Sequence, residues 1–432
     1  MSNVLALRNF ETTMNRKDHL DSLAMPRASA FTRILRHPLL MPYNRLAVLM
    51  VLANVMFAMR TSELTVKLSG MMVLINFSVA IFIRQQYVIN ALFAMATSVP
   101  TTWPLSLRWA LGKVYHFGGI HVGTFFSGFL WLSFFSYQII SQGAQGNFLV
   151  SLLIFHLLIL TTMMIAALPK LRARYHNQFE MIARFGTWSS IALFWTQTFL
   201  LGGDALSFSL LGLITFSVAL PWMRLRRISV EMLRPSSHVV IADFDYGVTP
   251  FAGSSTELSL NPLLEWHSFA NVPVPGRSGF QLTISRAGDW TGNLIDTLPK
   301  KVWVKGIPTA GVGNIEKLFK KVVWVATGSG IGPCLPHLLS ANVPANLVWA
   351  TRNPRKTYGE DLVDDILAVQ PKALIWDTDE HGKPDLAKLA YKACKDSGAE
   401  AVICISNKKV TWYVVHEMES LGIPAFGAIW DS

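Results

Sequence analysis

Apolar residues are distributed so unevenly along this chain that two unlike halves must fold by different rules. Residues 39–223 are dominated by long apolar stretches, whereas residues 224–432 alternate polar and apolar residues like an ordinary soluble α/β region. The averages over 432 residues, 51% hydrophobic, 15% charged and mean hydropathy +0.35, conceal this division. Six stretches have the character of membrane helices: Leu46–Met59, Leu68–Ile83, Tyr115–Ile140, Phe148–Leu168, Thr187–Leu201 and Phe208–Met223. A span needs roughly 20 residues, so the first, second and fifth are short. Ala91–Val99 is a further apolar patch, broken by Pro100 and Pro104, and is expected at the membrane interface. Residues 1–45 carry several Arg and Lys without a compact apolar core and read as a partly disordered cytosolic arm.

Charge gives the expected orientation. Arg84, Arg108 and Lys113, then Lys170, Arg172, Arg174 and Arg184, then Arg224, Arg226 and Arg227 make alternate connections basic. The intervening connections, Arg60–Lys67, Ser141–Asn147 and Gly202–Ser207, hold few charges. Cytoplasmic loops are the Lys/Arg-rich ones, so both termini are expected in the cytosol. The net charge of +11 hugs membrane ends, which argues against a nucleic-acid partner. Cys334, Cys394 and Cys404 have no C-x-x-C spacing, so neither a zinc site nor a disulfide framework is implied, and a reducing compartment fits.

Within the tail, residues 228–318 form short alternating runs such as Val239–Asp243 and Phe280–Arg286, separated by turn-rich stretches. That pattern predicts a small antiparallel barrel or sandwich. Residues 319–432 alternate strands (Val322–Val325, Leu347–Ala350, Ala373–Trp376, Ala401–Ile405) with helices (Tyr358–Val369, Asp385–Ser397, Val410–Leu421), the signature of a parallel nucleotide-binding sheet. Val322–Val325 runs into Thr327-Gly328-Ser329-Gly330-Ile331-Gly332-Pro333, and a helix follows with Leu335, Leu338 and Leu339 on one face. Glycine lets the backbone turn sharply and approach a ligand, and a helix start offers unpaired N–H groups to an anion. This segment therefore predicts a pyrophosphate site built on Gly328, Gly330, Gly332 and Pro333. A tight turn without a ligand is the bland alternative.

The order, barrel then G-x-G-x-x-P turn, resembles the ferredoxin–NADP reductase superfamily. Glu265–Ala270 (EWHSFA) and Ile284–Asn293 (ISRAGDWTGN) resemble the H-P-F-T and I-R-x-x-G-D-W-T motifs of ferric reductases and NADPH oxidases. The layout of membrane core and reductase tail is similar to fungal transmembrane flavoproteins of the TmpA type. The resemblance covers the tail, roughly half the chain, and in the membrane half it is one of topology. It implies a polytopic helical bundle of about six spans followed by an FAD-binding-like barrel and an NAD(P)-binding-like α/β domain. The bundle occupies residues 46–223, the barrel 228–318 and the α/β domain 319–432.

Carried over motif by motif, the resemblance implies that His267 and Phe269 lie at the flavin. Arg286, Trp290 and Thr291 would hold its pyrophosphate, with Thr291 as the N-cap of a short helix. Barrel packing is the bland reading of His267 and Trp290. Arg352, supported by Arg355 and Lys356, would meet the 2′-phosphate of NADPH, in contrast to NADH. Cys404 would face the nicotinamide and Trp430 would stack on the flavin ring. The chain departs from the pattern at Ala270 (threonine in the family), at Gly306-Ile307-Pro308-Thr309 (G-P-F-G) and at Cys404-Ile405-Ser406 (C-G-P). Related oxidases hold two haems between spaced histidine pairs. Here His116, His121, His156 and His176 lack that pattern, leaving at most one haem, between residues such as His121 and His156.

Two readings of function follow. One is an integral-membrane flavoprotein oxidoreductase, passing electrons from NAD(P)H through FAD to a lipophilic or small acceptor in or at the lipid bilayer. The other is a dinucleotide-binding membrane sensor or scaffold without turnover, favoured by Ala270 and by the lost C-G-P. A transporter is disfavoured by the few charges inside the spans.

Overall fold

The computed structural model describes residues 25–428, apart from 27, 144, 145 and 275. The apolar half is helical: α1 (Pro42–Arg60), α2 (Val66–Phe82), α3 (Gln86–Ala96), α4 (Gly118–Gln142), α5 (Asn147–Ala166), α6 (His176–Leu200) and α7 (Ala205–Met223). All six expected segments fall on helices, but fewer qualify as spans. By length and apolarity four do among the described residues: α1, the stretch Leu105–Gln142 that ends in α4, α5 and α7. The pair α2 and α3, bent by 68°, would supply a fifth. The opening turns of α6 carry His176, Asn177, Gln178, Glu180 and Arg184, which dilute its apolar part.

Polar side chains tie the helices together. Asn54 of α1 accepts from Asn76 Nδ2 of α2 (2.8 Å) and from Trp131 Nε1 of α4 (3.0 Å). Ser69 of α2 donates to Gln138 of α4 at 2.5 Å.

The patch Ala91–Val99, expected at the membrane interface, overlaps α3, which packs on the tail. Ile89 and Phe93 enter the same core cluster as Trp324, Leu335 and Phe426. Asn90 donates to the Pro308 carbonyl (3.0 Å) and accepts from the Ala310 N–H (2.7 Å), while Gln86 accepts from the Ile307 N–H (3.1 Å).

The tail begins with two four-stranded antiparallel sheets. One has the order β1 (Arg226–Ser229), β8 (Lys301–Ala310), β4 (Ser254–Ser259), β5 (His267–Ala270). The other has the order β2 (Glu231–Leu233), β3 (Val239–Phe244), β7 (Phe280–Ser285), β6 (Val272–Pro273). Their inner faces share one core of Ile228, Val240, Phe244, Leu258, Leu282 and Val304, closed by Leu294 and Ile295 of helix α8 (Asp289–Thr297). The strands pair as two separate sheets rather than as one closed barrel.

A five-stranded parallel sheet follows, ordered β11 (Leu374–Asp377), β10 (Ala345–Thr351), β9 (Val322–Thr327), β12 (Ala401–Ile405), β13 (Ala425–Gly427). Side chains alternate between its faces. Trp324, Trp349, Ile403 and Ile405 join the core beneath helix α9 (Ile331–Ser340). Val323, Val325, Val402 and Cys404 join a second core with Val414 and Met418 of helix α10 (Lys408–Ser420).

The tail-side ends of the helical half are fastened to the tail. Arg108 pairs with Glu400, Lys113 bonds Glu419, and Arg184 donates to the carbonyls of Leu263 (2.8 Å) and Leu264 (2.7 Å). At the opposite end, Lys67 lies 3.2 Å from Asp204.

Candidate functional site

The strand order around β9 reverses direction: β10 and β11 lie on one side, β12 and β13 on the other. Ligands of open parallel sheets bind at such a switch point, beyond the carboxyl ends of the strands. The glycine turn sits there. Gly328–Gly330 form one 3-10 turn between β9 and α9. Gly328 has φ +48°, in the left-handed region, and its carbonyl accepts from Trp349 Nε1 at 3.0 Å. A Cβ on Gly330 would lie 2.1 Å from the Ile405 carbonyl oxygen, so the turn is pressed onto β12. Thr327 and Ser406 join their hydroxyls across the switch point. The N-terminus of α9, with Gly332 and Pro333 in its first turn, thus faces the crevice with backbone N–H groups.

Beside this turn is a cavity of about 320 Å³, within the size range of small-molecule sites. Three regions line it: Arg84 and Phe117 from the helical half, Ser254, Ser268 and Ala270 from β4 and β5, and Pro333, His337 and Ile405 from the parallel domain. Gly311, Val312 and Gly313 form one lip of it. The family resemblance places the altered glycine turn at Gly306–Thr309. Those residues are instead held by α3, and the glycine pair of the cavity lies further along, in Gly311 and Gly313. Alternating glycines after a strand are the signal that could have located it.

The H-P-F-T-like strand is β5. Ser268 and Ala270 line the cavity, while His267 and Phe269, on the other face, pack on Trp290 with ring centroids 4.3 and 5.8 Å away. Trp290 is buried and its Nε1 has no partner among the described residues. Thr291 is not the N-cap of α8. Gly288 is, and Thr291, three residues in, accepts from the N–H groups of Ala287 (2.8 Å) and Gly288 (3.1 Å). A glycine cap brings no side chain, so the first-turn N–H groups of α8 receive no side-chain cap. Arg286, expected on phosphate, is held by Asp296 through bonds of 3.1 and 2.5 Å.

Cys404 does not line the cavity. It is one residue from Ile405, which does, and strand alternation turns it into the core with Val414 and Met418. Burial pushes its thiol up to about 12, only partly offset by a hydrogen bond with Thr411, which leaves it an inert packing group. Arg352 follows β10, is largely exposed, and has Asp379 3.8 Å from its Nε. Arg355 is committed to Glu360 and Asp364. Trp430 lies outside the described residues.

The histidines do not form an axial haem pair. His121 bonds the Ala80 carbonyl through Nδ1 (2.9 Å) and His156 bonds Gln197 (3.3 Å). The ring contacts that link them run through Phe125, Phe77 and Phe194, which fill the space a macrocycle would need. His116 is buried on the turn before α4, and His176 pairs with Glu180 at 3.3 Å. A haem between His121 and His156 therefore does not fit this packing.

A family model described as the C-terminal domain of adenylate-forming reductase 03009 matches residues 312–432. The chain is 42% identical over 421 residues to adenylate-forming reductase 03009 of Coprinopsis cinerea, covering 93% of this chain and 41% of that protein. It is 40% identical, with the same coverage, to adenylate-forming reductase 06235 of that organism. The chain thus spans about two fifths of the length of the curated relatives it matches. Among solved structures it is similar to a ferredoxin NADP+ reductase from Neisseria gonorrhoeae with bound FAD and NADP (TM-score 0.37, 13% identity, 48% of this chain and 98% of that one). It is also similar to a flavohemoglobin from Malassezia yamatoensis with bound FAD and heme (TM-score 0.44, 15% identity, 85% of this chain and 100% of that one).

Proposed function

We propose that this chain is a membrane-embedded oxidoreductase module, in which NAD(P)H bound at the Gly328–Gly332 turn reduces a flavin held in the adjoining cavity. Electrons then pass to a lipophilic acceptor at the helical end. The observation that carries this reading is that one cavity adjoins the switch-point turn and is also lined by the serine edge of β4–β5 and the tail-side ends of the helices. A flavin supplies the exchange between two-electron and one-electron chemistry when bound. Ser255 and Ser268 would hydrogen-bond its ring edge, the glycine lip would give it a flat approach, and the N–H groups at the start of α9 suit a pyrophosphate. The matched relatives are named reductases, which agrees with this class.

The alternative is a dinucleotide-binding sensor without turnover, favoured by the absence of a hydroxyl at Ala270 and of a thiol at the cavity. Purified protein saturated with FAD and mixed with NADPH without oxygen separates the two. Bleaching of a bound flavin band is expected. Bound flavin that NADPH fails to bleach would favour the sensor, and no bound flavin would sink the oxidoreductase reading.

The same titrations test nucleotide choice. NADPH carries near Arg352 a phosphate that NADH lacks, and a guanidinium meets it through paired, charge-assisted bonds. Arg352→Ala is expected to weaken NADPH binding by roughly 10- to 100-fold, the equivalent of about 1.5–3 kcal/mol, and to leave NADH binding unchanged. An equal loss for both nucleotides, or no wild-type preference, would show that Arg352 is only a solvated loop residue.

Both termini and the tail would face the cytosol, the reading supported by basic connections that contact the tail at Arg108 and Arg184. The three native cysteines are buried, so a single cysteine at Ser141→Cys can be followed cleanly. It should react with an impermeant reagent in intact cells. Reaction only after permeabilisation would reverse the orientation.

A further inference from the structure

Arg84 brings to the cavity a charge that the reading above does not use. It lies in the break between α2 and α3, residues 83–85, where the chain bends by 68°. The bend has local causes. The N–H groups of Arg84 and Gln85 fold back on Ile81 O (3.1 Å) and Phe82 O (3.0 Å), and the Gln85 side chain then caps α3. Because Gln86 and Asn90 hold α3 on β8, the residue at the bend is carried to the tail and lines the cavity.

Among the described residues that line the cavity, Arg84 is the one Arg, Lys, Asp or Glu. It is half-buried, its guanidinium has no hydrogen bond or ion pair among the described residues, and none of its nitrogens is sealed from solvent. The other arginines of this junction differ: Arg108 pairs with Glu400, and Arg184 donates to two carbonyls. The charges around Arg84 do not balance it. Arg172 is a second cation, and Glu257, the carboxylate that acts on it, is paired with Lys305 at 2.9 Å. A half-buried cation without a counter-charge is costly. Its planar fork of donors suits an anionic partner, so the cavity is prepared for a group that carries negative charge.

We propose that Arg84 is the counter-charge for the reduced form of the ring bound in this cavity, supplied to the tail's site by the helical half. This rests on the flavin reading above. The oxidised ring is neutral. A hydride from the nicotinamide brings two electrons and one proton, so the ring gains one negative charge and the nicotinamide one positive charge. Arg84 attracts the reduced ring more than the oxidised one. It therefore raises the midpoint potential and keeps the reduced ring anionic to lower pH than in water. The other titratable groups on the cavity wall are the phenols of Tyr43 and Tyr115 and the imidazole of His337, which is held by Glu316 at 2.6 Å.

The test is the midpoint potential of FAD bound to the full chain, measured by dye equilibration across pH for wild type, Arg84→Met and Arg84→Lys. Arg84→Met removes the charge, keeps much of the volume and leaves no partner group stranded. It should weaken binding of reduced FAD relative to oxidised FAD by about tenfold, which lowers a two-electron potential by about 30 mV. Arg84→Lys keeps the charge and should retain most of the wild-type potential. The wild type alone gives a further readout that needs no variant to fold. As pH rises, its slope should change from two protons to one per two electrons at a lower pH than for free FAD. An unchanged potential in Arg84→Met, an equal fall in both variants, or a wild-type break at or above that of free FAD would overturn this role while leaving the flavin reading intact. Wild-type protein that binds no flavin would overturn both.

Discussion

Arg108→Ala should loosen the parallel domain from the helical half more than any other single charge removal. Arg108 is 3% exposed, and its guanidinium donates to Trp103 O (2.8 Å), Leu318 O (2.7 Å) and both oxygens of Glu400 (2.7 and 3.2 Å). Truncation leaves two carbonyls without this donor and Glu400 with only the Lys320 N–H. Breaking a buried pair from one side costs about 3–5 kcal/mol, and the lower end applies here because Glu400 stays one-fifth exposed. The expected result in detergent is a clearly lower melting temperature and faster hydrogen exchange in β9 and β12, since Glu400 also accepts from the Lys320 N–H at the entry to β9. Arg108→Lys should recover only part, because an ammonium cannot reproduce the fork.

The same junction makes stability pH-dependent, with a definite sign. Burial raises the Glu400 carboxyl, but the bonds from Arg108 and Lys320 and their charges outweigh it and hold the group below its ordinary value. A carboxylate depressed in the folded state stabilises fully above its unfolded value, near 4.3, and that contribution is lost as pH falls through the folded value. Wild type should lose stability on acidification more steeply than Glu400→Gln. Identical acid and thermal profiles for wild type, Arg108→Ala and Glu400→Gln would show that this pair does not hold the junction.

What the sequence made legible were features with short-range causes. The strand Val322–Thr327, its glycine turn and the helix after it depend on residues within twenty positions, and so do the long apolar helices. Features with distant causes were not legible. Ala91–Val99 reads as a membrane-interface patch because the partners of Gln86 and Asn90 lie more than two hundred residues away, in β8. Cys404 was read toward the cavity because a motif fixes a position only if its register is right. A shift of one residue in a strand sends the side chain to the opposite face, and here Ile405 took the cavity side. The pair His337–Glu316 has no signature at all, since a helix and a 3-10 turn bring it together. Thr291 was assigned the right helix and the wrong turn position, a difference that depends on backbone geometry alone.

One short-range signal in the helical half carries its sharpest test. Gly119 and Gly123 of α4 are four residues apart, the small-xxx-small spacing that lets membrane helices meet backbone to backbone. A Cβ at Gly119 would stand 2.0 Å from the Tyr43 carbonyl oxygen, and one at Gly123 would stand 2.4 Å from that of Ala47, both on α1. Neither carbonyl can swing aside, because each is fixed in a helix. Gly128, one turn further along α4, is different: its nearest neighbour is the Phe77 ring at 3.0 Å, which can rotate or slide. Gly212 in α7 has nothing within 4 Å. Alanine substitutions should therefore rank by what they meet. Gly119→Ala and Gly123→Ala are expected to cost about 1–3 kcal/mol each through overpacking, and together to strip protection from α1 amides in hydrogen exchange. Gly128→Ala should cost less. Gly212→Ala should be neutral or stabilising, because alanine is the better helix former by about 1 kcal/mol in water. Melting temperatures of the four variants in one detergent decide it: a ranking unrelated to these distances, or unchanged α1 exchange in the double variant, would mean that α1 is not seated on α4 through these glycines.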